Sequence, residues 1–209
     1  MEQKRKKVGI MGGTFDPIHI GHLILGEKAY EQLELDKVLF MPSGNPPHKK
    51  NRPGRASDEQ RVEMVRRAIS MNPHFELSLE EMNEEGYSYT FRTLEHLNAE
   101  HPDTDYYFII GGDSLFDFET WMKPERICAA ALLVVATRDH VSNTELDLQM
   151  KHLSEKYNGR FLRLDTLNMD VSSRNIRSWI HAGKSVRYYV PDEVRHYIEE
   201  QSMYRGAME

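Results

Sequence analysis

The chain has 209 residues, with 33 Asp and Glu against 27 Lys and Arg, a formal charge of -6, ten His and one Cys. A chain of this size hides roughly 70% of the surface its unfolded form exposes, enough for a core without disulfides or a structural metal. The lone Cys128 excludes an internal disulfide framework and any Cys-based zinc site, the negative balance argues against a broad nucleic-acid surface, and no apolar run approaches the ~18 residues of a membrane span.

Met1 to Lys7 is polar and basic, without the apolar core of a signal peptide, and reads as a flexible, solvated N-terminus. Val8 to Met11 is then a buried strand ended by Gly12-Gly13. Leu25, Ala29 and Leu33 align one apolar stripe of a helix, and Val38 to Met41 is a second strand stopped by Pro42. Ser43 to Ala56, rich in Pro, Gly, Asn and Lys, is a loop, ordered or mobile.

Ser57-Asp58-Glu59-Gln60 fits a capping box opening a helix with Val62, Val65 and Ile69 on its apolar face. Phe75, Leu77 and Leu79 alternate as a third, half-exposed strand, followed by a helix through Phe91, Leu94 and Leu97. Tyr106 to Ile110 and Leu132 to Ala136 are continuous apolar strands, the first ending at Gly111-Gly112-Asp113 and the second at Thr137-Arg138. A helix marked by Leu146, Met150, Leu153 and Tyr157, a strand from Arg160 to Leu164, and two terminal helices near Ser173 and Pro191 complete the order. Strand and helix alternate throughout, which predicts one doubly wound α/β domain over residues 1–209 with a mostly parallel sheet. In such sheets ligands bind beyond the carboxyl ends of the strands.

Gly12 to His22 joins the first strand to the first helix, where backbone N–H groups and the helix start can cradle an anion. The segment lacks the Gly-Lys-Ser/Thr ending of a P-loop and the third glycine of a dinucleotide fingerprint. His19 and His22 stand at i and i+3, as a capping or surface pair, a metal pair, or two donors to phosphate oxygens. The Gly-Gly turn and the helix start favour the donors. Ser172-Ser173-Arg174-Asn175-Ile176-Arg177 opens a late helix; Ser173 and Arg177, four apart, suit a polyphosphate tail, although a Ser at a helix start is most often a cap. Pro46-Pro47-His48-Lys49-Lys50 is a second anion grip or a solvated turn. Gly86-Tyr87-Ser88-Tyr89-Thr90 offers helix-start amides and Trp121 a stacking surface, with the core as the bland alternative for Trp121.

Together these residues resemble the nucleotidyltransferase superfamily with an early G-G-T-F-D-P-x-H-x-G-H motif and a late S-S-x-x-I-R motif, and within it the bacterial nicotinate-nucleotide adenylyltransferases. The resemblance covers Gly12 to His22, Met41-Pro42, Pro46 to Lys49, Arg61 to Met64, Gly86 to Thr90, Phe108 to Asp113, Trp121 and Ser172 to Arg177. It implies a Rossmann-like nucleotidyltransferase fold and transfer of AMP from ATP to nicotinate mononucleotide, with release of pyrophosphate, in NAD biosynthesis.

The resemblance further implies His19, His22 and Arg177 as catalytic residues. Gly13, Thr14, Phe15, Gly111, Asp113, Ser173 and Ile176 join them on ATP. Lys49, Tyr89, Thr90, Asp113, Trp121 and Arg138 would bind nicotinate mononucleotide. Magnesium accompanies ATP, with no metal site made by protein side chains alone. The partners are the two small substrates, neither nucleic acid nor membrane, in the cytoplasm, with a homo-oligomer left open. Arg174 stands where the late motif usually carries Ser or Thr. The rival expectations are a superfamily member using nicotinamide mononucleotide, phosphopantetheine or a cytidylyl donor, and a nucleotide-binding module without chemistry.

Overall fold

The structure, a computed structural model, describes residues 4–44, 54–82, 88–136, 142–166 and 170–206. Its elements run β1 (Lys6–Gly13), α1 (Ile20–Leu33), β2 (Lys37–Pro42), α2 (Asp58–Ile69), β3 (Phe75–Leu77), α3 (Thr90–Glu100) and β4 (Thr104–Gly111). Then come α4 (Gly112–Phe116), α5 (Pro124–Ala130), β5 (Leu132–Ala136), α6 (Asn143–Tyr157), β6 (Phe161–Leu164), α7 (Ser173–His181) and α8 (Asp192–Glu200).

Six strands make one sheet in the order β3-β2-β1-β4-β5-β6. This is the doubly wound Rossmann order, and it reverses direction between β1 and β4. Those two strands pair in parallel from Lys6↔Thr104 to Met11↔Ile109, and β4–β5 and β5–β6 are parallel as well. The α/β class and parallel sheet expected from the alternation are therefore present.

By their contacts the residues fall into two compact units. The first comprises Met1–Gly12, Leu25–Leu39 and Tyr89–Asp170. Its core is read directly from the continuous apolar strands: Ile10, Leu133, Val134 and Val135 are fully buried, with Phe91, Leu94 and Leu97 of α3 and Ile127 of α5 buried beside them. Asn98 of α3 donates its side-chain amide to the Ala130 carbonyl at 2.9 Å, fastening α3 to the end of α5. The N-terminal basic run is partly structural. Arg5 donates to Asp105 at 2.7 Å and to the carbonyls of Pro102 and Thr104, and β1 begins at Lys6.

The second unit comprises Gly13–Ile24, Phe40–Ser88 and Val171–Glu209. Ser57 closes the expected capping box with Gln60, and Met64, Val65 and Ile69 are buried on α2, as are Val194 and Ile198 on α8. Phe40 and Phe75 pack with ring centres 4.7 Å apart. The third strand is shorter than its alternation suggests. Only Phe75 is buried in it, and Leu79 lies beyond its end at 38% exposure, in keeping with a short edge strand.

The helices α4 and α5 were not legible as periodic segments. The first has five residues, and the second is set by Lys123 in the left-handed conformation (φ 58°) followed by Pro124 in the first helical turn. Cys128 lies buried in α5, and burial raises its thiol pKa to about 11.

Candidate active site

The early and late motifs meet in the second unit. Between β1 and α1 the chain turns through Phe15, whose φ of 49° is unusual for a large side chain. Phe15 is nearly fully buried, edge-on to the His22 ring at 5.0 Å and 87° and tilted against Phe40 at 6.0 Å. A Cβ on Gly13 would stand 3.1 Å from the Phe15 ring, so the small residue lets the ring fold back under the turn.

His19 is buried and its ring stacks on that of His22, centres 3.7 Å apart and 22° from parallel. The His19 backbone N–H donates to His22 Nδ1 at 3.2 Å. A ring nitrogen that accepts carries no proton, so the neutral His22 ring has its N–H at Nε2. A Cβ on Gly21 would lie 3.0 Å from His19 Nδ1; glycine here makes room for the stacked pair.

Two bonds hold the start of α7 to this turn. Ser173 Oγ donates to the Pro17 carbonyl at 2.8 Å, and Arg177 Nη1 donates to the Asp16 carbonyl. Ser172 is the N-cap, its hydroxyl accepting from the Asn175 N–H at 3.2 Å. The N–H groups of Ser173 and Arg174, at the first helical positions, have no acceptor within the helix. Arg174 is exposed, whereas Ile176 is fully buried and belongs to the core. The hydroxyl proton of Ser173 thus serves the protein, and the backbone N–H is what this residue has left for an anion.

The residue that organises the site, Asp16, lies inside the first motif but was not singled out by sequence reasoning. Its carboxylate is buried at 2% exposure and accepts from Tyr204 Oη at 2.7 Å, Arg55 Nη1 at 2.8 Å and the Ala56 N–H at 3.2 Å. Arg177 Nη1 lies 3.8 Å from the same carboxylate. Burial pulls the Arg177 pKa below the ordinary arginine value, and the Asp16 charge opposes that shift. Tyr204 is pushed well above the ordinary tyrosine range, first by burial and then by the charge of Asp16.

Arg61, a second buried arginine, donates to the carbonyls of Thr14 at 2.7 Å and Ser43 at 2.8 Å and to Asp58 at 2.7 Å. It fixes the segments that leave β1 and β2. Sequence offers a weak signal for Arg61, an arginine on the otherwise apolar side of α2, and none for Tyr204.

The other expected site residues that the structure describes belong to the first unit. Gly111 ends β4 and caps α4, and Asp113 is exposed in the first turn of α4. Trp121 is half-buried, its ring 6.3 Å from Phe108 and 5.6 Å from Phe118. Tyr89 is the N-cap of α3 with no capping side-chain hydrogen bond, and Thr90 is the first helical residue. The N–H groups of Thr90 and Phe91 thus have no acceptor within the helix, while that of Arg92 donates to the Tyr89 carbonyl at 2.9 Å. Lys49 and Arg138, with the rest of the Pro-Pro-His-Lys loop, lie outside the described residues.

With this geometry in view, the chain can be set beside known proteins. The model of cytidylyltransferase-like proteins matches residues 10–179. A protein named "Probable nicotinate-nucleotide adenylyltransferase" from Lachnoclostridium phytofermentans is 44% identical over 95% of this chain and 99% of its own. The chain belongs to the nicotinate-nucleotide adenylyltransferase family. A relative of the same name from Desulfitobacterium hafniense is 39% identical over 96% of both chains. Among solved structures, a Plasmodium falciparum nicotinic acid mononucleotide adenylyltransferase complexed with NaAD superposes with a TM-score of 0.78 at 17% identity, covering 98% of this chain and 100% of that one. The same enzyme complexed with APC gives a TM-score of 0.76 at 18% identity, with the same coverage. At those identities the structures speak for the fold, and the family rests on the sequence relatives.

Proposed function

We infer that this protein transfers AMP from ATP to nicotinate mononucleotide, producing nicotinate adenine dinucleotide and pyrophosphate, a step of NAD biosynthesis. The observation that carries the reading is the joining of the stacked His19–His22 pair to Arg177 through Asp16 and Pro17, in a chain 44% identical to a relative of that name.

The reaction asks little of the protein in bond making. A phosphate oxygen of the acceptor, already ionised, bonds to the α-phosphorus of ATP as the bond from that phosphorus to the bridging oxygen breaks. The electron pair leaves with pyrophosphate, and no proton has to move. Catalysis is therefore positioning and charge stabilisation. His22 Nε2–H and His19 donate to the phosphates as charge shifts toward the leaving group. Arg177 uses the donors that Asp16 does not hold, and the first amides of α7 add backbone N–H groups toward the polyphosphate.

Gly13, Thr14 and Phe15 shape the turn against the nucleotide, Asp113 and Gly111 contact it after β4, and Ile176 supports the adenine side from the core. Trp121 stacks on the pyridine ring, the α3 amides at Tyr89 and Thr90 receive the carboxylate, and Lys49 and Arg138 meet the acceptor phosphate.

Magnesium is bound chiefly by phosphate oxygens and water with one or two carboxylates, and it supplies charge neutralisation of the polyphosphate. We place the reaction in the cytoplasm; no described helix is long and apolar enough to cross a membrane.

The test is incubation with ATP, magnesium and an equimolar choice of nicotinate or nicotinamide mononucleotide, following pyrophosphate and the dinucleotide formed. Pyrophosphate should appear one for one with the deamido dinucleotide. Turnover with neither acceptor, or preference for the amide, overturns the assignment.

A further inference from the structure

The far end of α7 carries a feature that adenylyl transfer does not use. A cleft of about 610 Å³ opens among the last turn of α7, the loop after it, α8 and Arg205, all within the second unit. That volume lies within the range of small-molecule sites. His181, Lys184, Arg187, Arg195 and Arg205 line it against a single carboxylate, Glu199.

The charges are not balanced. Arg195 donates to Glu199 at 2.9 and 3.1 Å and to Asp192 at 3.1 Å, so the one acid on the wall is already neutralised. His181, Lys184, Arg187 and Arg205 are exposed, and none forms an ion pair with a described residue. Acids outnumber bases in this chain, yet here four basic side chains share one concavity in which, among the described residues, no acid is left to answer them. Buried Val186 and Ile198 supply an apolar patch in the same wall.

The cleft is also preformed. Gly183 takes the left-handed conformation (φ 70°) and donates to the Ile180 carbonyl at 3.0 Å, while the Lys184 N–H donates to the Trp179 carbonyl at 2.8 Å. Arg187 N–H reaches Ser185 Oγ at 3.2 Å, and Tyr189 N–H the Val186 carbonyl at 3.1 Å. A helix C-terminus by itself repels anions, but these amides already occupy its last carbonyls. A rigid loop loses little freedom when a ligand arrives.

We propose that this cleft binds a phosphorylated small molecule of up to nucleotide size, as a site separate from the AMP-transfer site. The nine residues of α7 place the two ends of that helix roughly 13 Å apart. The proposal does not rest on the assigned reaction, because binding can be measured without turnover.

Phosphate charge could be presented by ATP itself or by inorganic pyrophosphate, and both serve as probes. Equilibrium dialysis with each labelled probe should give about one more equivalent bound to the parent chain than to Lys184→Gln/Arg187→Gln/Arg205→Gln. His22→Ala should keep the extra equivalent. Tighter binding of ATP than of pyrophosphate would mean that the apolar wall reads the nucleoside; equal binding would mean that phosphate alone is read. The substituted side chains are exposed and form no ion pair among the described residues, so melting should stay close to the parent. Should the triple variant nevertheless unfold, Arg187→Gln alone should weaken the extra site by roughly tenfold. Equal stoichiometry and affinity in parent and folded cleft variant, for both probes, overturns the proposal.

Discussion

Two buried arginines in the same unit, Arg61 and Arg177, show how identical chemistry divides into scaffold and site. Arg61 is 4% exposed, and its two terminal nitrogens reach the carbonyls of Thr14, Ser43 and Gly44 and the carboxylate of Asp58. Arg177 is 8% exposed and makes its hydrogen bond through Nη1 alone, to the Asp16 carbonyl. Among the described residues its Nη2 and Nε have no hydrogen-bond partner, and the side chain keeps a 10% opening to solvent. A guanidinium whose two terminal nitrogens serve three carbonyls and a carboxylate holds two loops in place. One held at a single nitrogen, with its charge kept by Asp16, has donors left for a phosphate.

The difference can be broken experimentally, beginning with the residues proposed to contact the nucleotide. Arg177→Lys keeps the charge and loses the planar fork; kcat/KM should fall by roughly 10² to 10³ with melting little changed. His22→Ala should lower kcat by a similar factor, about the cost of one transition-state donor. A variant of either kind that turned over like the parent would remove that residue from the mechanism.

Arg61→Met should do the opposite. Leaving buried carbonyls without donors costs about 2–4 kcal/mol, a fall of roughly 4–16 °C in Tm, measured by thermal denaturation. If Arg61→Met melted like the parent and only its activity fell, the scaffold assignment would be wrong.

Gly21→Ala separates the two effects within one helix. Gly21 is the second residue of α1, where alanine should raise stability by no more than about 0.5 kcal/mol, but its Cβ would press on His19 Nδ1 at 3.0 Å. Activity should drop while Tm holds or rises, and a loss of both would point to a packing role.

The smallest expected effect concerns protons. The Cys128 thiol is raised from 9.0 to about 11, and Tyr204 is raised from 10.0, so both bind protons more tightly folded than unfolded. The Cys128 contribution to stability is intact below pH 9 and is lost as pH rises through about 11, and that of Tyr204 is intact below pH 10 and lost well above it. At pH 8 iodoacetamide should label Cys128 only slowly until the chain is unfolded in denaturant; rapid labelling of the native protein would contradict the burial.

Much of this was legible because it is local. The capping box at Ser57, the continuous apolar strands and the turn from Gly12 to His22 are patterns within a dozen residues, and each reappears where it was expected. The helix α5 was not legible, since Cys128-Ala129-Ala130 carries no period and the element is seven residues long. The Asp16 cluster was hidden for another reason. Arg55, Arg177 and Tyr204 stand 39, 161 and 188 residues from Asp16, and no spacing rule connects them. Ser173 shows the complementary limit: its position at the helix start is readable, but that its hydroxyl is taken by the Pro17 carbonyl is not.

The bond from Tyr204 to Asp16 ties the turn between β1 and α1 to chain 188 positions later. Fraying of the segment after α8 would withdraw a hydroxyl from a buried carboxylate, so the turn that carries His19 and His22 would register a disturbance far from it in sequence.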